Sequence, residues 1–473
     1  MTTELTPDLI ERFVAVVGEK YALRNPEDIA PFMLDHRDRY FNSAQLVLRP
    51  GNVDEISQIL KLATETGVAI VPQGGGTGLV GAGIPLTGDT NSIVVSTGRL
   101  NKILDVDAAS NVMLVEAGVI LQNIQEAADE ADRLFPLSLG AQGTCQIGGN
   151  IGSNAGGTAV LAYGNTRELI MGLEVVLPTG EVMNGLSRLR KDNTGYDLRN
   201  LFIGAEGTLG IVTKAVLKLF PKPKGRAVAF VGMKTPKNTL NLLNEAKNGA
   251  GNNLTGFEFM SKRAMTFTLK NAEARQPMSD IHEWTVLMEI SSEQSNEEAN
   301  ATMEAILSDA LEAGIIDDAT IAASSTQQDA FWKLREDMSW AQKPEGASVK
   351  NDISVPVGSV PDFIKEVDAA VLAILPDARI VNFGHLGDGN LHYNLTQPVG
   401  WTAEDFFAYE SQIHDAVNDL VIKFDGSISA EHGIGQLKRG KLAKVKDPVA
   451  LALMNRIKAE LDPAGIMNPG KVL

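Results

Sequence analysis

At 473 residues the chain exceeds one ordinary domain, and its length favours two. A formal charge of -17 with a pI near 4.9 argues against nucleic acid or an anionic membrane as partner, and an acidic substrate would need its own local cations. The single cysteine, Cys145, excludes an internal disulfide and fits a reducing compartment. The N-terminus is acidic and amphipathic without the marks of a signal or transit peptide, and no apolar run is long enough to span a bilayer, so a soluble cytoplasmic protein is expected.

In chain order, the first 50 residues read as short helices followed by an extended segment at 44–49. Asn52 is a helix cap with Glu55 three residues on. Ile56, Ile59, Leu60 and Ala63 then recur at helical spacing, and Gly67 closes the helix. A buried strand at 68–71 runs into the loop Pro72-Gln73-Gly74-Gly75-Gly76-Thr77-Gly78. Gly76, Gly78 and Gly81 match the spacing of the dinucleotide fingerprint, but that fingerprint needs a helix to open inside it. Here Ala82-Gly83-Ile84-Pro85 follows, which cannot be a helix interior, so a Rossmann domain is rejected. What survives is a run of glycines whose backbone N–H groups can face an anion.

Strands are expected at 92–96 and 113–116, a helix at 121–132, and then a second glycine-rich stretch from Pro136 to Gly157. Strand pairs follow at 173–177 and 181–183, and a last strand ends at Phe220. Pro221-Lys222-Pro223-Lys224-Gly225 is the best boundary. Beyond it, strands at 228–231, 256–259 and 285–290 alternate with helices such as 297–313, an α+β texture. A helix at 403–422 precedes Glu431-His432, and another starts at Pro448. The expected division is 1–221, 222–425 and 426–473, the last segment returning to the first domain.

Gly384-His385-Leu386-Gly387-Asp388-Gly389-Asn390-Leu391-His392 lies between two strand-like runs, with the Asp-Gly signal of a tight hairpin. A turn centred on Asp388-Gly389 sets Asn390 against Gly387, Leu391 against Leu386 and His392 against His385. Directly opposed residues have Cβ atoms roughly 4.5–5.5 Å apart, close enough for two imidazoles to share a metal ion. Two of only six histidines facing each other is unusual. Glu431-His432 adds a candidate carboxylate ligand and a candidate base. Adjacent strand residues point to opposite faces, so one of the two should dominate at the metal, and spacing does not say which.

Taken together, these motifs with Ile147-Gly148-Gly149-Asn150, Gly204-Ala205-Glu206-Gly207-Thr208-Leu209-Gly210 and Asn468-Pro469-Gly470-Lys471 resemble the FAD-linked 2-hydroxyacid dehydrogenases. That family has a flavin domain of the p-cresol-methylhydroxylase (PCMH) and vanillyl-alcohol-oxidase type. The match runs from about residue 45 to the end, in order. Leu189-Arg190-Lys191-Asp192-Asn193-Thr194-Gly195-Tyr196-Asp197-Leu198 is most similar to the members acting on D-2-hydroxyglutarate, with D-lactate and glycolate dehydrogenases as close relatives. The implied fold is an α+β two-domain flavoprotein with a PCMH-type FAD domain and a substrate cap.

The resemblance also implies site roles. FAD would lie along Pro72, Gly74, Gly75, Gly76, Thr77 and Gly78, then Ser138, Gly143, Thr144, Gly148, Gly149, Gly152 and Asn154, then Glu206, Gly207 and Ile211, with Asn468 returning to it. Some relatives tether flavin through a histidine in the first loop. None stands there in this chain, and noncovalent FAD is expected in preference to a bond from Cys145. His385, His392 and Glu431 would hold a divalent metal, zinc or manganese, and His432 would be the base. Arg335 and Lys350 would bind substrate carboxylate and Asn394 would add a polar contact. Ser339, a further substrate-binding candidate, stands where the family has threonine and keeps the hydroxyl. The expected electron acceptor is an electron-transfer flavoprotein or a quinone-linked carrier, and a homodimer is the default assembly. Alternatives are a D-lactate or glycolate dehydrogenase, and a flavoprotein subunit that only relays electrons.

Overall fold

The computed structural model describes residues 3–473. The chain forms two compact units. One comprises Met1–Gly156, Asn165–Lys222 and Glu431–Leu473, and the other Gly157–Gly164 and Pro223–Ala430.

The first unit begins with a four-stranded sheet of β1 (Ala22–Leu23), β2 (Val47–Leu48), β3 (Ile70–Gln73) and β4 (Ile93–Ser96), ordered β1-β2-β4-β3. β4 runs parallel to both β2 and β3. The helix Val53–Thr66 makes the crossover that parallel strands require. Asn52 caps it by accepting from the Glu55 N–H (2.9 Å), Glu55 reaches back to the Gly51 N–H (2.7 Å), and Gly67 ends it at φ 73°. Its buried stripe of Ile56, Ile59, Leu60 and Ala63 packs with Phe13, Leu48, Ile70 and Val95. Each large apolar side chain so buried contributes roughly 1.5–3 kcal/mol.

A second sheet follows, with β5 (Ile103–Asp107), β6 (Val112–Glu116), β8 (Ile170–Val176), β9 (Val182–Gly185) and β10 (Ile211–Lys218) in the antiparallel order β5-β6-β10-β8-β9. β7 (Arg133–Leu134) pairs separately with β11 (Phe220–Pro221). The C-terminal segment joins β3: Ile70 donates to the Ile466 carbonyl and Asn468 donates to the Ile70 carbonyl, both at 2.8 Å. Lys458, near the end of the helix Pro448–Leu461, fastens this return by donating to the carbonyls of Thr208 and Met467, both at 2.7 Å.

The second unit is one antiparallel sheet of β12 (Gly225–Met233), β13 (Leu254–Ser261), β14 (Trp284–Ser292), β15 (Asp318–Ile321), β16 (Ser348–Ser354), β17 (Arg379–His385) and β18 (Asn390–Thr396), ordered β15-β12-β14-β13-β17-β18-β16. The helices Lys262–Asn271 and Ser325–Ala341 cover one face, and their Met265, Phe331, Leu334 and Met338 pack on Phe230, Met260, Leu287, Val381 and Phe383.

Three local expectations need correction. The hairpin loop is Leu386–Gly389 and not a two-residue turn, because the His385 carbonyl accepts from both Asp388 (3.3 Å) and Gly389 (3.1 Å). The register therefore sets His392 against Phe383 and Asn390 against His385. The expected helix at 403–422 is two helices, Ala403–Phe407 and Glu410–Lys423. Finally, Gly157–Gly164 leaves the first unit, and its Leu161 packs so closely on Gly387 that a Cβ there would stand 2.8 Å away.

Candidate active site

Residue register brings the candidate side chains of the second unit onto one sheet face. Glu258 of β13 pairs with His385 of β17, Phe383 with His392 of β18, and Val381 with Asn394. On β16, Lys350 pairs with Asn394 and Asp352 with His392. Paired residues share a face and residues two apart repeat it. Glu258, His385, His392, Asn394, Lys350 and Asp352 thus all look the same way, toward the helix that carries Arg335.

The two imidazoles stand diagonally, ring centroids 5.4 Å apart, with a nitrogen of each within 4.8 Å of the other. A zinc ion held by two imidazoles takes nitrogens at about 2.0–2.1 Å. His385 is buried and His392 half-buried.

Sequence reasoning missed Glu258, which is only 1 % exposed. One of its oxygens meets His385 Nδ1 at 2.7 Å and the other meets an Arg335 Nη at 2.7 Å. Burial alone would push this carboxyl up, but the His385 imidazole and the Arg335 guanidinium outweigh it and hold it below the ordinary range. A single acid inside the apolar run Phe257-Glu258-Phe259-Met260 was the available signal, since a buried charge persists only when paired. Arg335 is buried, and its guanidinium also lies over Phe383 at 4.9 Å. Its Nε has no hydrogen-bond partner among the described residues. Asn394 donates to Gln342 (3.2 Å), Lys350 is half-buried, and Ser339 is exposed one turn beyond Arg335.

In the first unit the expected cofactor loops converge. A Cβ on Gly75 would collide with the Thr144 carbonyl oxygen, and one on Gly74 would touch Gly149 at 3.5 Å, so the two glycine stretches lie against each other. Gly207 (φ 70°) packs on Pro72, and Glu206 donates to the Gly152 carbonyl at 2.8 Å. By contrast, nothing stands within 4 Å of a Cβ on Gly76, Gly78 or Gly149. The same loops are glycine-rich for two reasons: some positions admit a neighbouring strand of chain, and others border open space where a flat or extended ligand fits.

Several of the expected cofactor residues also make contacts within the fold. The Asn154 side chain accepts from the Arg167 N–H (2.9 Å), and Ile211 is buried in β10. Asn468 donates to the carbonyls of Ala82 (3.0 Å) and Glu206 (2.7 Å). Ser138 is half-buried, Thr144 is exposed, Gly143 approaches Gln122, and Gly148 packs on Ala117. Burial pushes the Cys145 thiol up, keeping it protonated, with Asn150 opposing. The Glu206 carboxylate is occupied by the N–H groups of Ile434 and Gly435, just after Glu431-His432. Burial raises its pKa against the pull of those two donors and Lys438.

Comparison with known proteins adds the identity that such loops and such a sheet face suggest. Residues 222–472 match the family described as FAD linked oxidases, C-terminal domain, and residues 44–185 match the FAD binding domain family. p-Cresol methylhydroxylase with substrate bound superposes with a TM-score of 0.77 at 16% identity, covering 98% of this chain and 96% of that one. An alkyldihydroxyacetonephosphate synthase does so with 0.76 at 17%, covering 99% and 85%. The fold is that of a two-domain flavoprotein with a PCMH-type FAD domain.

Among relatives, D-2-hydroxyglutarate dehydrogenase, mitochondrial, of Arabidopsis thaliana is 39% identical over 98% of this chain and 81% of its own. The D-2-hydroxyglutarate dehydrogenases of Xanthomonas citri pv. viticola and Stutzerimonas stutzeri are 37% and 35% identical, covering 94% and 98% of this chain and 93% and 99% of theirs. The chain belongs to this family of FAD-dependent D-2-hydroxyacid dehydrogenases.

Proposed function

We propose that the substrate is D-2-hydroxyglutarate, oxidised to 2-oxoglutarate, and that His385, His392 and Glu431 hold a divalent ion, zinc or manganese, with His432 as base. One observation carries the reading: Lys350, Asn394, His392 and His385 share one sheet face with Arg335 above it. A dicarboxylate with a secondary alcohol needs such cations and metal-binding imidazoles together. The names of the relatives support the same substrate.

The residues fit a metal ion by their chemistry. A histidine whose second nitrogen meets a carboxylate is the usual form of a metal ligand. The Glu431 carboxylate is the oxygen donor that would complete a set of two imidazoles and one acid. A divalent ion held there would supply Lewis acidity toward the substrate alcohol. Noncovalent FAD supplies the two-electron acceptor.

The chain's own groups do the rest. His432 takes the proton of the C2 hydroxyl, the role a neutral imidazole within reach of the alcohol can fill. A bound FAD would accept the C2 hydrogen with its electron pair, which leaves the ketone. Lys350 meets the distal carboxylate, helped by an Arg335 guanidinium held in place by Glu258. The acceptor for the reduced cofactor would be an electron-transfer flavoprotein or a quinone-linked carrier. The test is a panel of D-2-hydroxy acids assayed with an artificial electron dye. D-2-hydroxyglutarate should give the highest kcat/KM, and preference for D-lactate or glycolate would overturn the substrate assignment.

A further inference from the structure

We propose that Glu258 is a positioning residue that selects which nitrogen of His385 carries the lone pair a metal ion would take, and that it fixes Arg335 with its other oxygen. The proposal rests on the reading of His385 as a metal ligand and adds a residue outside the ligand, base and substrate sets.

The geometry is specific. Glu258 and His385 are direct partners across β13 and β17, so their Cβ atoms are held close by the sheet itself. The Glu258 oxygens divide their work: Oε1 lies 2.7 Å from His385 Nδ1 and Oε2 lies 2.7 Å from Arg335 Nη2. A carboxylate paired to a guanidinium is an acceptor, so Nδ1 must carry the hydrogen. The lone pair is then on Nε2, which is the nitrogen left for a metal ion. Phe383, two residues from His385 on the same face, packs at 5.0 Å on His392 and at 4.9 Å on Arg335. Rotation of either side chain therefore meets a ring. One buried carboxylate thus orients both the imidazole and the cation nearest it, and it links two functions that lie 50 residues apart in sequence.

A purely structural ion pair would support the fold and leave metal affinity alone, which is the distinction the experiment reads. Holoenzyme stripped of metal is titrated with cobalt(II), and its visible ligand-field bands give the dissociation constant. Wild type should bind one ion. Glu258→Gln should weaken cobalt binding by about 10–100-fold, with the flavin spectrum unchanged. Equal affinity in the two proteins, within twofold, overturns the proposal while leaving the metal reading intact. Wild type that binds no cobalt overturns the metal reading itself, and the proposal with it.

Should Glu258→Gln fail to fold, the wild-type holoenzyme still decides. With 15N-labelled histidine there are six residues to resolve, and His385→Gln identifies one of them. His385 should show hydrogen on Nδ1 and none on Nε2. The opposite tautomer contradicts the proposal.

Discussion

Glu206 accepts hydrogen bonds from the backbone of Ile434 at 2.6 Å, and from the next residue, Gly435, at 2.7 Å, across 228 residues of sequence. This buried carboxylate holds the segment that directly follows His432. Removing it leaves two N–H groups short of a strong acceptor, each worth about 1–3 kcal/mol when buried and unpaired. Glu206→Ala should therefore lower stability to urea by about 2–4 kcal/mol and slow turnover, and Glu206→Gln should lose less of both. A variant as stable and as active as wild type would show that the contact positions nothing.

Replacing the base should separate chemistry from metal binding. His432→Ala is expected to cut kcat by at least about 100-fold, while elemental analysis still finds bound metal near the wild-type level. Loss of the metal instead would exchange the roles of Glu431 and His432.

Lys350 gives a test of substrate recognition. D-2-Hydroxyglutarate has a distal carboxylate and D-lactate has none. Lys350→Met should raise KM for the first by tenfold or more, about 1.4 kcal/mol, and change KM for the second little. Equal effects on both would remove this account of specificity.

The two kinds of glycine in the cofactor loops should respond differently. Gly75→Ala drives a methyl group into the Thr144 carbonyl and should destabilise the protein even without flavin. Gly78→Val meets no protein atom within 4 Å of the Cβ and should leave thermal stability alone while lowering bound FAD. The assay is melting temperature beside the flavin-to-protein absorbance ratio, and it fails the account if the two variants behave alike.

Lys471 is a pH probe. It is 2 % exposed, and its ammonium has no hydrogen-bond partner among the described residues. Burial pulls its pKa down from 10.5 to about 8, with Asp89 opposing. Below pH 8 both folded and unfolded states carry the proton, and the burial cost is fully present. Between about 8 and 10.5 the folded lysine is neutral while the unfolded one still binds a proton, so stability rises with pH across that window. Flavin-free Lys471→Met should exceed wild type at pH 7 by about 2–3 kcal/mol, and the gap should shrink toward pH 10. A gap independent of pH would contradict the assignment.

Much of this was legible in the residues because local chemistry decided it. Asn52, Glu55 and Gly67 mark both ends of their helix, and the break after β3 excludes a dinucleotide fold. The hairpin shows where legibility ends. Asp388-Gly389 located the turn, but the two hydrogen bonds to the His385 carbonyl lengthened it. The resulting register differs from expectation by two residues, which keeps His385 and His392 on one face, whereas a shift of one would have separated them. Glu258 was hidden because its partners lie in β17 and in a helix some 80 residues on, and only a fold brings them together. The excursion at Gly157–Gly164 depends on the same kind of remote packing, Leu161 on Gly387. The break between Phe407 and Glu410 has no glycine or proline to announce it.

The central claim is that the hairpin imidazoles of His385 and His392 and the carboxylate of Glu431 hold a metal ion that the oxidation requires. Its most direct measurement is D-2-hydroxyglutarate turnover with an artificial electron dye on yellow enzyme, before and after chelation and after return of zinc or manganese. Activity should fall with loss of about one ion per chain and return with the metal while the flavin stays bound. Full activity in chelated enzyme shown by elemental analysis to hold no ion would contradict the account.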